Sequence, residues 1–225
     1  MPDMTPNKTS AAPRLWTVRL STARLPTLLL SAILLSACTA NPPDNTSNVC
    51  SIFKEKRGWY KDARKSSRRW NADIAAMMAI IHQESSFKAR AKPPRKRILW
   101  IIPGRRPASA YGYSQAIDAT WEMYQRETGR DGADRNDFDD AVDFVGWYND
   151  TSRRRNRIAK EDAYNLYLAY HEGHGGYAKQ TYKNKQWLKD VAQKVASRAK
   201  TYRTQLGGCE KKLNRGFLSR LFGRG

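Results

Sequence analysis

Histidine is scarce in this 225-residue sequence, which contains only three. His171 and His174 are spaced i, i+3 instead of the i, i+4 of a zinc-binding HExxH helix, and only His82 remains as a further ligand. The acid-rich stretch 131–143 lacks the glycine and the final glutamate of a calcium-binding loop. The sequence therefore predicts neither a zinc site nor a calcium site.

Long apolar runs and acidic residues are also few. No run approaches the roughly 20 apolar residues of a membrane-spanning helix, which excludes a multi-span membrane protein. Lysine and arginine number 41 against 21 aspartates and glutamates, so the formal net charge is +20. Such an excess predicts an anionic partner, which could be nucleic acid, anionic lipid or an acidic polymer.

The first 37 residues have the pattern of an export signal. Arginines at 14, 19 and 24 precede the apolar run 28–35, and Leu35-Ser36-Ala37-Cys38 resembles the bacterial lipobox. This resemblance implies that 1–37 is a signal peptide, that Cys38 is lipidated, and that lipid on Cys38 attaches the chain to a membrane. Thr39 then favours an outer-membrane lipoprotein facing the periplasm. An ordinary signal or a short anchor is the alternative.

The positive charge belongs to the mature chain. Residues 1–37 contribute three of the twenty net charges, which leaves +17. An exported chain rarely meets chromosomal DNA, so we expect cell-wall polymers or anionic lipids as partners and no nucleic acid. The two other cysteines, Cys50 and Cys209, are expected to form a disulfide in an oxidising compartment, with two free buried thiols as the alternative.

Beyond a short polar tether (38–49), apolar residues recur at helical spacing and predict one mainly α domain over 50–209. Segment 88–110 interrupts the pattern with prolines, eight basic residues and no acid, and predicts an irregular or β-hairpin insert. The basic tail 210–225 either lies on an anionic membrane surface or frays. The helical stripes are Ile74/Met77/Met78/Ile81, Ile117/Trp121/Tyr124, Phe138/Val142/Val145, Tyr164/Tyr167/Leu168/His171 and Leu188/Val191/Val195/Tyr202.

Glu84 is the first candidate for chemistry, because it continues the apolar stripe of Met77, Ile80 and Ile81. A carboxyl group on a buried helix face should have a raised pKa, since desolvation disfavours its charged form. A carboxylic acid that stays protonated near neutral pH can act as the general acid in glycosidic bond cleavage. The alternative is a glutamate at the helix end that faces solvent or pairs with an arginine.

Three sequence motifs strengthen this interpretation. Residues 83–87 (QESSF) resemble the signature of lytic transglycosylases of the soluble-transglycosylase and goose-lysozyme-like group. Residues 110–115 (AYGYSQ) and 168–175 (LAYHEGHG) resemble the later motifs "AYGLMQ" and "LAAYNAGpG" of that group, in the same order. The resemblance implies a lysozyme-like fold and cleavage of the β-1,4 bond between N-acetylmuramic acid and N-acetylglucosamine in peptidoglycan. It further implies that Glu84 is the single catalytic residue and that no cofactor or metal is needed.

The same resemblance assigns further residues to the glycan strand. Gln115 and Tyr170 would line the groove around Glu84, and Gly112 would allow close backbone approach. The complete set of expected substrate-binding residues is Ser85, Ser86, Gly112, Tyr113, Gln115, Tyr170 and His171.

The sequence also departs from the family pattern. Tyr113 and Ser114 replace Leu-Met, His171 and Glu172 replace Asn-Ala, and the stretch between Glu84 and Gly112 is longer. Glu172 could act as a second carboxylate, which would allow lysozyme-type hydrolysis. A non-catalytic glycan-binding or envelope-assembly protein is another alternative. The insert 88–110 could bind wall polymers or an envelope protein, or form a solvated arm.

Overall fold

The structure is a computed structural model that describes residues 41–94, 97–98, 102–103 and 109–222. Outside these residues lie the predicted signal peptide, Cys38 and Thr39. Parts of the basic insert also lie outside them, namely 95–96, 99–101 and 104–108. The chain divides into units 1–39 and 40–225, and all described residues belong to the second. None of the described helices is long and apolar enough to cross a membrane.

Seven helices and one small hairpin make up the described residues, so the domain is mainly α as predicted. Strands β1 and β2 pair antiparallel, with Ile98 opposite Ile102, inside the segment for which an irregular or hairpin insert is expected. The elements are α1 (Val49–Glu55), α2 (Trp59–Trp70), α3 (Ile74–Ser85), β1 (Arg97–Ile98), β2 (Ile102–Pro103), α4 (Asp118–Thr128), α5 (Phe138–Asn156), α6 (Ala163–Ala178) and α7 (Gln186–Phe222).

Helix α3 is the central helix, and it packs against α2, α5, α6 and α7. Asp73 caps its first turn by accepting a hydrogen bond from the Ala76 amide. The run 75–81 is fully buried, whereas the sequence pattern predicts a one-sided stripe beginning at Ile74, which is only partly buried. A helix that is apolar all round belongs in the middle of a core, and α3 is enclosed in this way.

Two other expectations about the core need correction. Ile117 was expected on the buried stripe of α4, but it precedes the helix as its N-cap residue and is 44% exposed. The polar segment 41–48, expected as a tether, is docked against α7. Tyr202 donates a hydrogen bond to the Thr46 carbonyl, and Gln205 bonds both the Ser47 carbonyl and the Val49 amide.

The two ends of the domain are joined covalently. A disulfide links Cys50 in α1 to Cys209 in α7, across 159 residues of sequence, as predicted. On the chain-entropy model, closing so long a loop stabilises the fold by up to about 5 kcal/mol. Helix α7 continues past Cys209, where the sequence predicted the domain to end. Tyr60 bonds Glu210 and Asn214, so this part of the tail packs on α2.

Candidate active site

Glu84 lies in the last turn of α3, where the helix ends abruptly. Ser86 adopts a left-handed conformation (φ 50°) and its amide bonds the His82 carbonyl, which caps the helix. Phe87 is also left-handed (φ 60°) and completely buried, and it packs against Trp59 and His82. The buried Phe87 ring therefore fixes the chain direction immediately after Glu84.

The Glu84 carboxyl is suited to holding a proton near neutral pH. Burial raises its pKa from 4.5 to about 7, against an opposing interaction with the Tyr167 hydroxyl that lowers it. Its position at a helix C-terminus acts in the same direction as burial, because the partial negative charge there disfavours a carboxylate. Within the described part of the chain, no second carboxyl group contributes to this shift. Glu84 as a whole residue is nevertheless partly exposed.

Two tyrosines of α6 face Glu84, at positions i and i+3 of one helix face. The Tyr167 hydroxyl interacts with the carboxyl, and the negative charge of Glu84 helps to raise the pKa of this phenol. Tyr170 is also close enough for Glu84 to raise its pKa, although burial is the larger cause. The Tyr170 hydroxyl donates to the Ser114 carbonyl at 2.6 Å, so this residue joins α6 to the loop 111–116.

The loop 111–116 is joined to α6 by the Tyr170 hydrogen bond, and Gly112 is essential to its path. Gly112 has φ +77°, and a Cβ built there would lie 1.9 Å from the Arg135 carbonyl oxygen. The Gln115 side chain stabilises this loop. Its amide nitrogen donates hydrogen bonds to the backbone carbonyls of Ala91 (3.0 Å) and Gly112 (2.8 Å). Both donors of Gln115 are thus engaged, and only its side-chain oxygen stays available to a ligand.

Two of the expected substrate-binding residues serve the scaffold instead. The Ser85 hydroxyl donates back to the Ile81 carbonyl within α3, and the residue is 7% exposed. The Tyr113 ring is 1% exposed and packs edge-on against Trp59 and Phe138. A side chain buried to this degree cannot contact a glycan, so we correct both assignments. Ser86, in contrast, is exposed beside Glu84.

His171 and Glu172 follow the two tyrosines on α6, just before its kink at Gly173. Glu172 accepts from the Lys185 ammonium through both oxygens at 2.8 Å, and also from Thr181 and His171. These hydrogen bonds outweigh desolvation and lower the Glu172 pKa to about 2. Glu172 is therefore an ionised residue that fastens α6 to the segment before α7.

Tyr167 and Arg135 are the site residues that the sequence motifs did not reveal. Tyr167 appeared only as a member of an apolar stripe, although its i, i+3 spacing to Tyr170 could have placed it beside Glu84. The Arg135 guanidinium bonds the Ser109 and Ala116 carbonyls and pairs with Asp118 at 2.8 Å. Arg135 thereby stabilises the loop 111–116. A lone arginine in a loop has no sequence pattern that would predict this role.

A central helix that ends in a protonatable glutamate beside two tyrosines of α6 resembles the lysozyme-like class of site. The family comparison agrees with this class. The model of the transglycosylase SLT domain matches residues 26–209, and the chain belongs to that family. Family membership supports a transglycosylase-type function on peptidoglycan, with glycan strands as the partner. Among curated proteins, none matches the chain.

Proposed function

We propose that this protein is a lytic transglycosylase, which cleaves the β-1,4 bond between N-acetylmuramic acid and N-acetylglucosamine and leaves a 1,6-anhydro end. The observation that carries the proposal is the buried carboxyl of Glu84, whose pKa is raised to about 7 with no second carboxyl of the described residues contributing, which favours the protonated form at neutral pH. Glycosidases that use water as the nucleophile generally need two carboxyl groups. One carboxyl group suffices when a hydroxyl of the substrate is the nucleophile.

In the proposed reaction Glu84 acts twice. It first gives its proton to the glycosidic oxygen, and the bond from that oxygen to C1 of the muramic acid breaks. The C6 hydroxyl oxygen of the same sugar then forms a bond to C1, and its proton passes to the Glu84 carboxylate. No water is consumed, and the acid is regenerated for the next cleavage.

The neighbouring residues supply orientation. Tyr167 holds the Glu84 carboxyl through its hydroxyl, and Tyr170 holds the loop 111–116 at a fixed distance from α6. The free side-chain oxygen of Gln115 can accept a hydrogen bond from an acetamido N–H, and the Ser86 hydroxyl lies exposed at the end of α3. A hydroxyl, an amide oxygen and one acid are appropriate for an uncharged sugar ring.

The contacts of Glu172 favour transglycosylation over hydrolysis. A hydrolase would need a carboxylate free to activate water opposite Glu84. Glu172 is instead engaged by Lys185, Thr181 and His171, and its side chain is only 4% exposed.

We further propose that the mature chain is an outer-membrane lipoprotein facing the periplasm, anchored through lipid on Cys38. This proposal depends on the lipobox-like residues 35–38 and on Thr39. The net charge of the mature chain suits an anionic envelope, and the basic insert 88–110 is the proposed contact with wall polymers or an envelope protein.

The test is mass spectrometry of purified peptidoglycan after digestion by the mature chain, by Glu84→Gln and by Glu172→Gln as the matched control. We expect anhydro-muramoyl products from the native chain and from Glu172→Gln, and none from Glu84→Gln. Both substitutions remove one ionisable carboxyl without changing side-chain size.

Three results would overturn the proposal. Turnover by Glu84→Gln would remove the acid from the mechanism. Reducing-end products that depend on Glu172 would identify a hydrolase. Glycan binding by the native chain without any product would favour a binding module.

A further inference from the structure

Trp187 is unusual on the described surface of this domain. It is 56% exposed, and the only other large apolar side chain exposed within the described residues is Ile117. The indole belongs to the first turn of α7, where the adjacent Leu188 is fully buried and anchors the helix. A single exposed apolar residue is common and needs no explanation by itself. The surroundings of Trp187 distinguish it from such a residue.

The indole is held in place by its neighbours. The rings of His171 and Trp187 lie 5.2 Å apart between centroids and meet at 77°, an edge-to-face contact. An ionised carboxylate can only accept a hydrogen bond, so Glu172 requires the proton of His171 on Nδ1 and thereby orients that ring. Lys185 fixes Glu172 in turn. Because Trp187 is 56% exposed despite this contact, much of the indole stays open to solvent.

Trp187 and Glu84 both contact helix α6, through His171 and Tyr167 respectively. His171 is four residues after Tyr167 on α6, so it shares that side of the helix and lies about 6 Å further along the axis. Tyr167 interacts with Glu84, and Trp187 touches His171. A linear polymer bound at Glu84 and running along α6 toward its C-terminal end would therefore pass over the indole.

We infer that Trp187, oriented by His171, is a stacking platform for a sugar ring of the glycan strand beyond the cleaved bond. The inference rests on the proposed function, since that function supplies the glycan. In a β-1,4-linked strand the axial C–H groups give each pyranose an apolar face, and a flat exposed indole is complementary to that face. The indole N–H of a largely exposed tryptophan can also donate to a sugar hydroxyl.

The experiment measures the affinity of glycan strands of increasing length for the mature chain by calorimetry. Glu84→Gln serves as the parent, because it should bind without cleaving. Trp187→Ala and Trp187→Phe are made in that parent, and Gln186→Ala, which removes an exposed neighbour on the same turn of α7, is the matched control. Thermal unfolding of each variant reports whether the fold is intact.

We expect Trp187→Ala to weaken the binding of long strands about tenfold, as covering one indole face with a sugar would imply. The gain in affinity that the parent shows with increasing strand length should disappear in this variant. Trp187→Phe should retain most of that gain, and Gln186→Ala should behave as the parent. In the active chain, Trp187→Ala should raise KM for long strands and leave kcat unchanged.

Unchanged binding of long strands by Trp187→Ala would overturn the platform and leave the proposed function standing. A loss of binding that accompanies a lower melting temperature, without recovery in Trp187→Phe, would assign the indole to folding and also overturn it. If the parent binds no glycan of any length, the proposed function fails and the platform fails with it.

Discussion

Replacing Glu84 by Gln should raise the free energy of unfolding. It should do so only at pH values at which the carboxyl would otherwise ionise. The folded protein raises the pKa of Glu84 from 4.5 to about 7 through burial, so folding opposes the charged form. Glutamine has nearly the same shape and carries no charge at any pH. The substitution therefore removes the cost of burying a carboxylate while the packing stays close to native.

The magnitude and its pH dependence follow from linkage. Below pH 4.5 the group is protonated in both the folded and the unfolded chain, and it adds no difference in stability. As the pH rises from there to about 7, the unfolded chain loses the proton and the folded chain keeps it, so the native protein loses stability. A shift of this size corresponds to about 3 kcal/mol, which is fully expressed above the folded pKa.

The assay is urea unfolding of the disulfide-bonded mature chain at about pH 4 and about pH 8. Glu84→Gln should match the native chain at the lower pH and exceed it in free energy of unfolding at the higher. Glu172→Gln is the matched control with the opposite sign, because the Glu172 pKa is lowered to about 2 by Lys185 and Thr181. That variant should be less stable than the native chain at the higher pH.

A stability difference between the native chain and Glu84→Gln that does not change with pH would refute this reasoning. It would mean that Glu84 titrates in the folded protein as it does in the unfolded chain. A carboxyl group of that kind would not be a suitable general acid at neutral pH, so the result would also weaken the proposed mechanism.

Two further predictions concern the acid and the anchor. Tyr167→Phe removes the hydroxyl interaction that lowers the Glu84 pKa. The alkaline limb of the pH profile of kcat/KM should therefore move to higher pH. A shift to lower pH would contradict the contact between Tyr167 and Glu84. In the full chain expressed in a diderm host, Cys38→Ala should move the protein from the membrane fraction to the soluble fraction, as immunoblotting would show. Continued membrane association of that variant would rule out lipid on Cys38 as the anchor.

Much of the architecture could be predicted from periodicity. The stripes at Phe138/Val142/Val145 and Leu188/Val191/Val195/Tyr202 do belong to helices whose apolar faces pack in the core. No stripe was predicted before Ile74, although α1 buries Val49, Ile52 and Phe53 at i, i+3 and i+4. Periodicity also missed the docking of 41–48, because that segment is held by hydrogen bonds to Tyr202 and Gln205 from more than 150 residues away.

The candidate site shows the same division between local and distant information. Glu84 could be chosen from the sequence because it follows an apolar helix stripe within a QESSF motif. Ser85 and Tyr113 could not be judged in that way, because motif position does not tell which way a side chain points at a helix end or in a tight loop. Burial of Tyr113 against the stacked rings of Trp59 and Phe138 depends on residues from separate parts of the chain.

The sequence by itself predicted the helical class, the family motifs, the candidate acid Glu84 and the cysteine pair, all of which depend on residue type and local spacing. Only the tertiary structure decided the state of that acid, since the pKa of Glu84 reflects burial by α6 and contact with Tyr167, 83 residues away. It also decided that Glu172 is engaged by Lys185 and that Trp187 is exposed against His171. Desolvation and side-chain pairing are properties of assembled surfaces, and no single segment of the chain carries them.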